Sequence, residues 1–462
     1  MKRNMLCIAV LLSLLMVFNQ CKKEEEDLNP VNDKVEKDLD AKFADKDDEA
    51  VKADLEQSGL EFSDKMEVLV DEEAIEVSAN LMNLLFNSSV EKNIIALAPL
   101  KALKSMETGN TSSNNIERLL MPFSEEETVS IMDEWLEVTG VYEYNFDTDD
   151  FDYTSGGEEV IVKFPGAESD QANTAEIKIY DFKVKEITNP HEALEDLETS
   201  DVPTSIKMSL KYNGTEIMSY SYSASFQNNG IPTSAETSVT LGIHTLSSEI
   251  THSPYTAATG KLTFKQNDEV LIEAFQGASG DWSEENIDEN TVVYSDEWGE
   301  WEEVDAENIL ESANAYFQVL NIRIAAKIDI NKFVPEAEAL DEKYYGDDWN
   351  ELSESQEQAY YNELAALVNE HADMVVVNTK TKEKLAKAEA AVKLYTYTDE
   401  WCEYDWDTGE YTSCEDQYYD LAVNMVFSDG SKIDAETYFS EGFDDVITAF
   451  ENMLKDLEEM VN

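Results

Sequence analysis

Residues 204–226 read TSIKMSLKYNGTEIMSYSYSASF, and their alternation decides the fold. Ile206, Met208, Leu210 and Tyr212 alternate with Lys207, Ser209 and Lys211. Beyond Asn213-Gly214, Met218, Tyr220, Tyr222, Ala224 and Phe226 alternate with serines. Period two means strands, and Asn-Gly is a strong hairpin signal. A plain two-residue turn would set Met208 opposite Ser219 and mix the two faces. Alternation fixes register, so the expectation is a longer loop or a bulge that pairs Leu210 with Met218 and Met208 with Tyr220.

The same pattern runs outward. Val239, Leu241 and Ile243 continue it, then Leu262 and Phe264, then Val270 to Phe275. Ile322, Ile324, Ile328 and Ile330 mark another strand, and Val141–Tyr144, Val160–Phe164 and Ile177–Phe182 mark earlier ones. The expected product is an antiparallel meander with one apolar face and one Ser/Thr/Lys face. Helical spacing appears at 64–108, at 124–138, at about 353–371, and from Ser440 to the end. The last segment carries Phe443, Val446, Ile447, Phe450, Met453, Leu454, Leu457 and Val461 on one stripe, and the apolar sheet face is its natural partner. The fold class expected is therefore α+β: a meander packed by amphipathic helices, with an N-terminal helical segment, in two lobes. The divisions are 1–20, 21–62 (an acidic tether), 63–138 (helical), 139–333 (β-rich) and 334–462 (helical, with a pinned hairpin).

Lys2 and Arg3 precede an apolar run from Leu6 to Phe18, too short to cross a bilayer. Val17-Phe18-Asn19-Gln20 lacks the small residues of an ordinary cleavage site, and Cys21 follows. The segment resembles a lipoprotein signal, which implies that Cys21 is the acylated first residue of the mature chain. Its relaxed box, and the acid-rich Lys22 to Asp27 behind it, look like the signal and surface-export tag of Bacteroidota lipoproteins. The stretches 140–145, 160–165, 202–206 and 231–234 also look like an uncharacterised group of those lipoproteins, over roughly 135–330. That resemblance implies an outer-membrane, surface-facing address and carries no site residues or activity.

Charge narrows the partners. Once Lys2 and Arg3 leave with the signal, 31 basic side chains face 100 acidic ones. A nucleic-acid partner needs a basic footprint, and none exists here. The bilayer, reached through Cys21, and an extracellular ligand or protein are the partners expected. Cys7 leaves with the signal, so Cys402 and Cys414 remain, symmetric about Thr408 in a hairpin. In an oxidising compartment they are expected to form a disulfide, worth about 3 kcal/mol in the chain-entropy model. A zinc site would need further ligands, and no histidine lies near in sequence.

Candidate sites are few. No nucleophile elbow, P-loop or zinc-protease helix appears, so no catalytic residues are assigned and the chain is not expected to be an enzyme. His244 is read as facing solvent with Thr240. Asp147, Asp149 and Glu158 fall at positions 1, 3 and 12 of a calcium loop, but Asp152 stands where glycine is needed. An acidic hairpin tip is favoured over calcium as a cofactor. Trp298, Trp301, Trp401 and Trp406 lie among acids, and Tyr294–Trp301 echoes Tyr397–Tyr404. Cross-strand packing is the plainer role, and an aromatic platform for a glycan the functional one. Two functions follow: a non-catalytic surface lipoprotein that binds a partner or glycan, or a carrier of lipid or another hydrophobic ligand on the apolar meander face.

Overall fold

The computed structural model describes residues 33–70, 72–86, 130–188, 201–230, 232–253, 256–281, 291–296, 299–304, 309–346, 352–405 and 410–440, with 283, 286, 443, 446, 448 and 449. Sixteen strands form one sheet in the order β18-β17-β16-β15-β14-β13-β10-β9-β8-β7-β6-β5-β4-β3-β1-β2. They are β1 Gly140–Asn145, β2 Asp150–Ser155, β3 Val160–Phe164, β4 Ala175–Glu186, β5 Asp201–Tyr212, β6 Thr215–Phe226, β7 Pro232–Leu241, β8 His244–Ser253, β9 Ala257–Gln266 and β10 Glu269–Gly280. After a separate hairpin, β11 Thr291–Asp296 and β12 Gly299–Val304, come β13 Leu310–Val319, β14 Ile322–Asp329, β15 Ala372–Asn378, β16 Glu383–Asp405, β17 Glu410–Val426 and β18 Lys432–Asp434. Every pair in the large sheet is antiparallel except β1 with β3.

This overturns the α+β expectation. The architecture is one strand-dominated sheet, and the helices among the described residues pack along it as separate segments. The cause is register: each strand of the meander passes its alternation to the next, so the sheet grows without a break.

The register proposed for 204–226 is observed. Leu210 pairs with Met218, Met208 with Tyr220 and Ile206 with Tyr222. The device is a two-residue turn plus a bulge. Asn213 and Gly214 both have positive φ (49° and 80°), and the pairing shifts at Leu210/Lys211. The extra residue, Ile217, is buried, and its carbonyl accepts from the Gly242 amide of the next turn.

The helices follow the sheet rather than forming a layer of their own. α1 (Asp33–Leu39) lies on one face, where Val35 packs with Tyr316, Ala325, Val375 and Val377. Phe43 then bridges to Lys384 at the β15–β16 turn, and the chain passes to the other face. There α2 (Asp48–Val70) sets Val51 beside Val376 and Ala386, and Phe62 beside Leu271 and Leu320. α3 (Glu73–Phe86) and α4 (Ile131–Val138) complete the largest core, with Leu81 and Trp135 among Val162, Ile177, Met208 and Tyr220. Residues 33–62, read from sequence as tether, are thus docked along the sheet.

Candidate functional site

Three excursions leave the sheet, and register shows that they share one end. Ala278 pairs with Ala313, Ala313 with Ile328, and Ile328 with Ala372. The same row reaches Ala390 on β16, two residues past the Met374–Ala388 pair. The β11–β12 hairpin is inserted just beyond this row, between β10 and β13. α5 (Ile330–Tyr345) and α6 (Glu354–His371) are inserted just beyond it too, between β14 and β15. β16 and β17 run past it as a two-stranded arm, so residues 392–405 extend roughly 45 Å at about 3.3 Å per residue.

The arm is braced where it leaves the sheet. β15 stops supplying ladder bonds after Ala388, and the Asn369 side chain on α6 replaces them. Its Nδ2 donates to the Ala390 carbonyl at 2.8 Å, and its Oδ1 accepts from the Ala390 amide at 2.8 Å. An unpaired backbone group is costly unless solvated, so one amide side chain stands in for a missing strand. Four tyrosines from the two helices pack edge to face nearby: Tyr360 meets Tyr344, Tyr345 and Tyr361 at 5.1–5.7 Å. Burial, with the charge of Asp420 behind it, pushes the Tyr361 hydroxyl up to about 12. Ser353 and Gln356 form a capping box at the start of α6, which fits the helix boundary read from sequence.

Two of the four tryptophan candidates fall on this end. Trp301 lies on β12, with Tyr294 opposite on β11. Trp401 lies on β16, where the ladder is irregular between Asp399 and Glu403. Trp298 and Trp406 lie outside the described residues. The eight-residue echo is not a structural repeat. Its first copy spans both strands of a tight hairpin, and its second lies along one strand. Cys414 pairs with Asp399 and Thr412 with Glu403, which puts Cys402 in the irregular stretch near it. Cys21 and His191 lie outside the described residues.

The calcium candidates do not converge. Asp147 and Asp149 occupy the β1–β2 turn, whereas Glu158 lies past the far end of β2. The turn is held by its own bonds: Tyr144 Oη donates to Asp149 at 3.2 Å, and Asn145 Nδ2 donates to Asp152 at 2.8 Å. Among the described residues, no group of three or more His, Cys, Asp or Glu side chains could hold a metal.

His244 is corrected. The two-residue turn at 242–243 pairs it with Leu241, so it shares the apolar face and is 1% exposed. Its Nδ1 lies 2.7 Å from Glu72 Oε1, which also accepts from the Ile243 amide at 3.1 Å. Gln266 Nε2 sits 3.2 Å from the other ring nitrogen, and Phe264 stacks at 5.8 Å. The group pins the α2–α3 junction to the sheet. A second polar cluster, which sequence did not flag, lies on the opposite face. Glu273 accepts from Lys34 at 2.5 Å and from Tyr316 at 2.8 Å, with Lys261 at 3.4 Å. Burial raises the Glu273 carboxyl, but these bonds and charges outweigh it and hold it below its ordinary value. Beside it lies a polar depression of about 50 Å³ lined by Glu236, Ser247, Glu249, Lys261 and Thr263. Ligand pockets are typically some 300–1,000 Å³.

Comparison with protein-family models, curated proteins and solved structures found no match to this chain.

Proposed function

We propose that the chain is a non-catalytic, lipid-anchored surface lipoprotein that binds a partner or glycan through the end of the sheet carrying the two tryptophan-bearing hairpins. The observation that supports this is the shared row of register from which both hairpins leave. Excursions from a rigid scaffold are where binding residues concentrate. Aromatic rings among carboxylates suit sugar faces and hydroxyls, and the excess negative charge disfavours anionic ligands. A disulfide between Cys402 and Cys414 would stiffen the longer arm. A glycan array probed with the mature protein tests the reading. Trp301→Ala or Trp401→Ala should abolish binding while leaving the circular dichroism spectrum unchanged. An array that stays empty for the parent protein counts against the glycan form.

A carrier of hydrophobic ligands is the second reading, and one observation favours it. Part of the apolar sheet face is open, in the row Leu262, Phe317 and Ile324. Retention of a fluorescent fatty acid through gel filtration would support the carrier, and its loss in the void volume would count against it.

A further inference from the structure

At the hairpin end the chain seats two of its own cations in the same way. Lys343 Nζ lies 4.8 Å from the centre of the Tyr344 ring and pairs with Glu363 at 2.5 Å. Lys393, on the arm, lies 5.3 Å over Tyr395. It pairs with Asp434 at 3.2 Å and Glu436 at 3.0 Å, where β18 meets α7 (Ala435–Ser440). A ring face beside a carboxylate suits an ammonium or guanidinium group. The same components recur between α6 and the arm. Tyr418 stacks on Tyr395 across the ladder at 5.7 Å and faces Tyr361. After burial, the charges that raise the Tyr361 hydroxyl are those of Asp420 and Glu357, both negative. Among the described residues, no lysine or arginine lies over Tyr361 or Tyr418.

Two further features define what fits this surface. The first is charge. Residues 392–420 carry nine acidic side chains against one basic, and 281–309 carry twelve against none. Two copies of the chain meeting here would set like charge against like, which disfavours a second copy as the occupant. The second is backbone. β17 pairs with β18 only at 424–426, so among the described residues no strand borders the outer side of 410–420. That run spans roughly 35 Å at about 3.3 Å per residue. Unpaired ladder groups of this kind are a template for an added strand. An added strand would bring its side chains alongside Tyr418 and Asp420, which lie on β17 itself.

We infer that this surface takes a basic, extended segment of a partner protein, which adds as a strand to β17 and sets a lysine or arginine among Tyr361, Tyr418 and Asp420. The inference deepens, and rests on, the reading that the hairpin end binds a partner. Ladder bonds supply affinity that many sequences could share, and the ring–carboxylate seats select basic side chains at alternate positions. Glu357 adds a second carboxylate beside Tyr361. The acidic insertion at 281–309 adds long-range attraction that speeds encounter and that salt screens.

Fluorescence anisotropy of a labelled dodecapeptide of alternating lysine and threonine, titrated with the full-length mature chain, tests this. The peptide should bind, and its glutamate–threonine counterpart should not. Glu357→Gln with Asp420→Asn should weaken binding about tenfold, whereas Asp147→Asn with Asp149→Asn, at the β1–β2 turn, should change it less than about twofold. Equal losses in the two double variants would mean bulk attraction to an anionic protein and would overturn the site. Tyr361→Phe keeps the ring and should bind as the parent does, while Tyr361→Leu should lose about fivefold. Equal affinities for those two would overturn the ring contact. Methylating every second backbone nitrogen of the peptide should abolish binding in one of the two possible phases and spare it in the other. Equal binding by both methylated peptides would overturn the added strand. A parent protein that ignores the basic peptide sinks this inference alone, because the glycan array with Trp301→Ala and Trp401→Ala judges the wider reading separately.

Discussion

Asp38→Ala should destabilise the protein by about 2–3 kcal/mol although it lies on a seven-residue helix in a charge-rich segment. Arg323 Nη1 donates to Asp38 Oδ2 at 2.9 Å, and the two side chains are 9% and 16% exposed. Breaking a fully buried pair typically costs about 3–5 kcal/mol, because the remaining charge is left without its partner. Here the loss is smaller, since Arg323 keeps Gln318 Oε1, at 3.0 Å and 2.5 Å, and the Tyr316 ring at 4.7 Å. Asp38 also retains some water. In a free tether the same substitution would stay within about 0.5 kcal/mol. Urea unfolding followed by tyrosine fluorescence gives the global value, and hydrogen exchange over 33–40 shows whether α1 lifts off first. A change below about 0.5 kcal/mol with unaltered exchange at α1 would refute the docked segment. On the proposed anchoring at Cys21, a docked α1 leaves residues 22–32 as the link to the body, at most about 40 Å if fully extended.

His244→Ala should cost about 2–4 kcal/mol, because it opens a cavity against Phe264 and takes one partner from Glu72 and one from Gln266, which keep the Ile243 amide and the Lys65 carbonyl, as thermal denaturation will show. Asn369→Ala should leave global stability nearly unchanged yet speed exchange of the Ala390 amide, which loses its only ladder substitute; equal protection in both proteins would contradict the brace. Glu273 supplies a pH dependence. Its folded carboxyl lies below the usual range, so its stabilising share is complete above that range and fades as pH falls through the folded value. Glu273→Gln should therefore flatten the acid limb of the stability profile below about pH 4, and an identical limb in both proteins would argue against the paired carboxylate.

Local pattern was the legible part of this molecule. Asn213-Gly214 and the strict alternation around it required a longer loop or a bulge, because a plain two-residue turn would set Met208 opposite Ser219; the chain uses the bulge. Helical spacing over about 353–371 marked α6 for the same kind of local reason. What could not be read depends on partners distant in sequence. α1 has little apolar surface beyond Val35 and Leu39, and it docks through Lys34, Glu36 and Asp38 onto Glu273, Lys327 and Arg323. Composition scores those charges as solvated. His244 was misplaced by one step of parity, since a two-residue turn puts it on the face of Leu241 instead of Thr240. The aromatic stretches at 294–301 and 397–404 were visible as candidates, but their common end of the sheet emerges only from the ladder of pairings between them.

The claim on which the cellular role depends concerns one thiol. Mass spectrometry of the amino-terminal peptide from native protein should find a chain that begins at Cys21 and carries fatty-acyl groups on a glyceryl thioether. A free, unmodified terminus, or a mature chain starting at another residue, would contradict the anchored role and remove the setting in which the two hairpins were assigned their work.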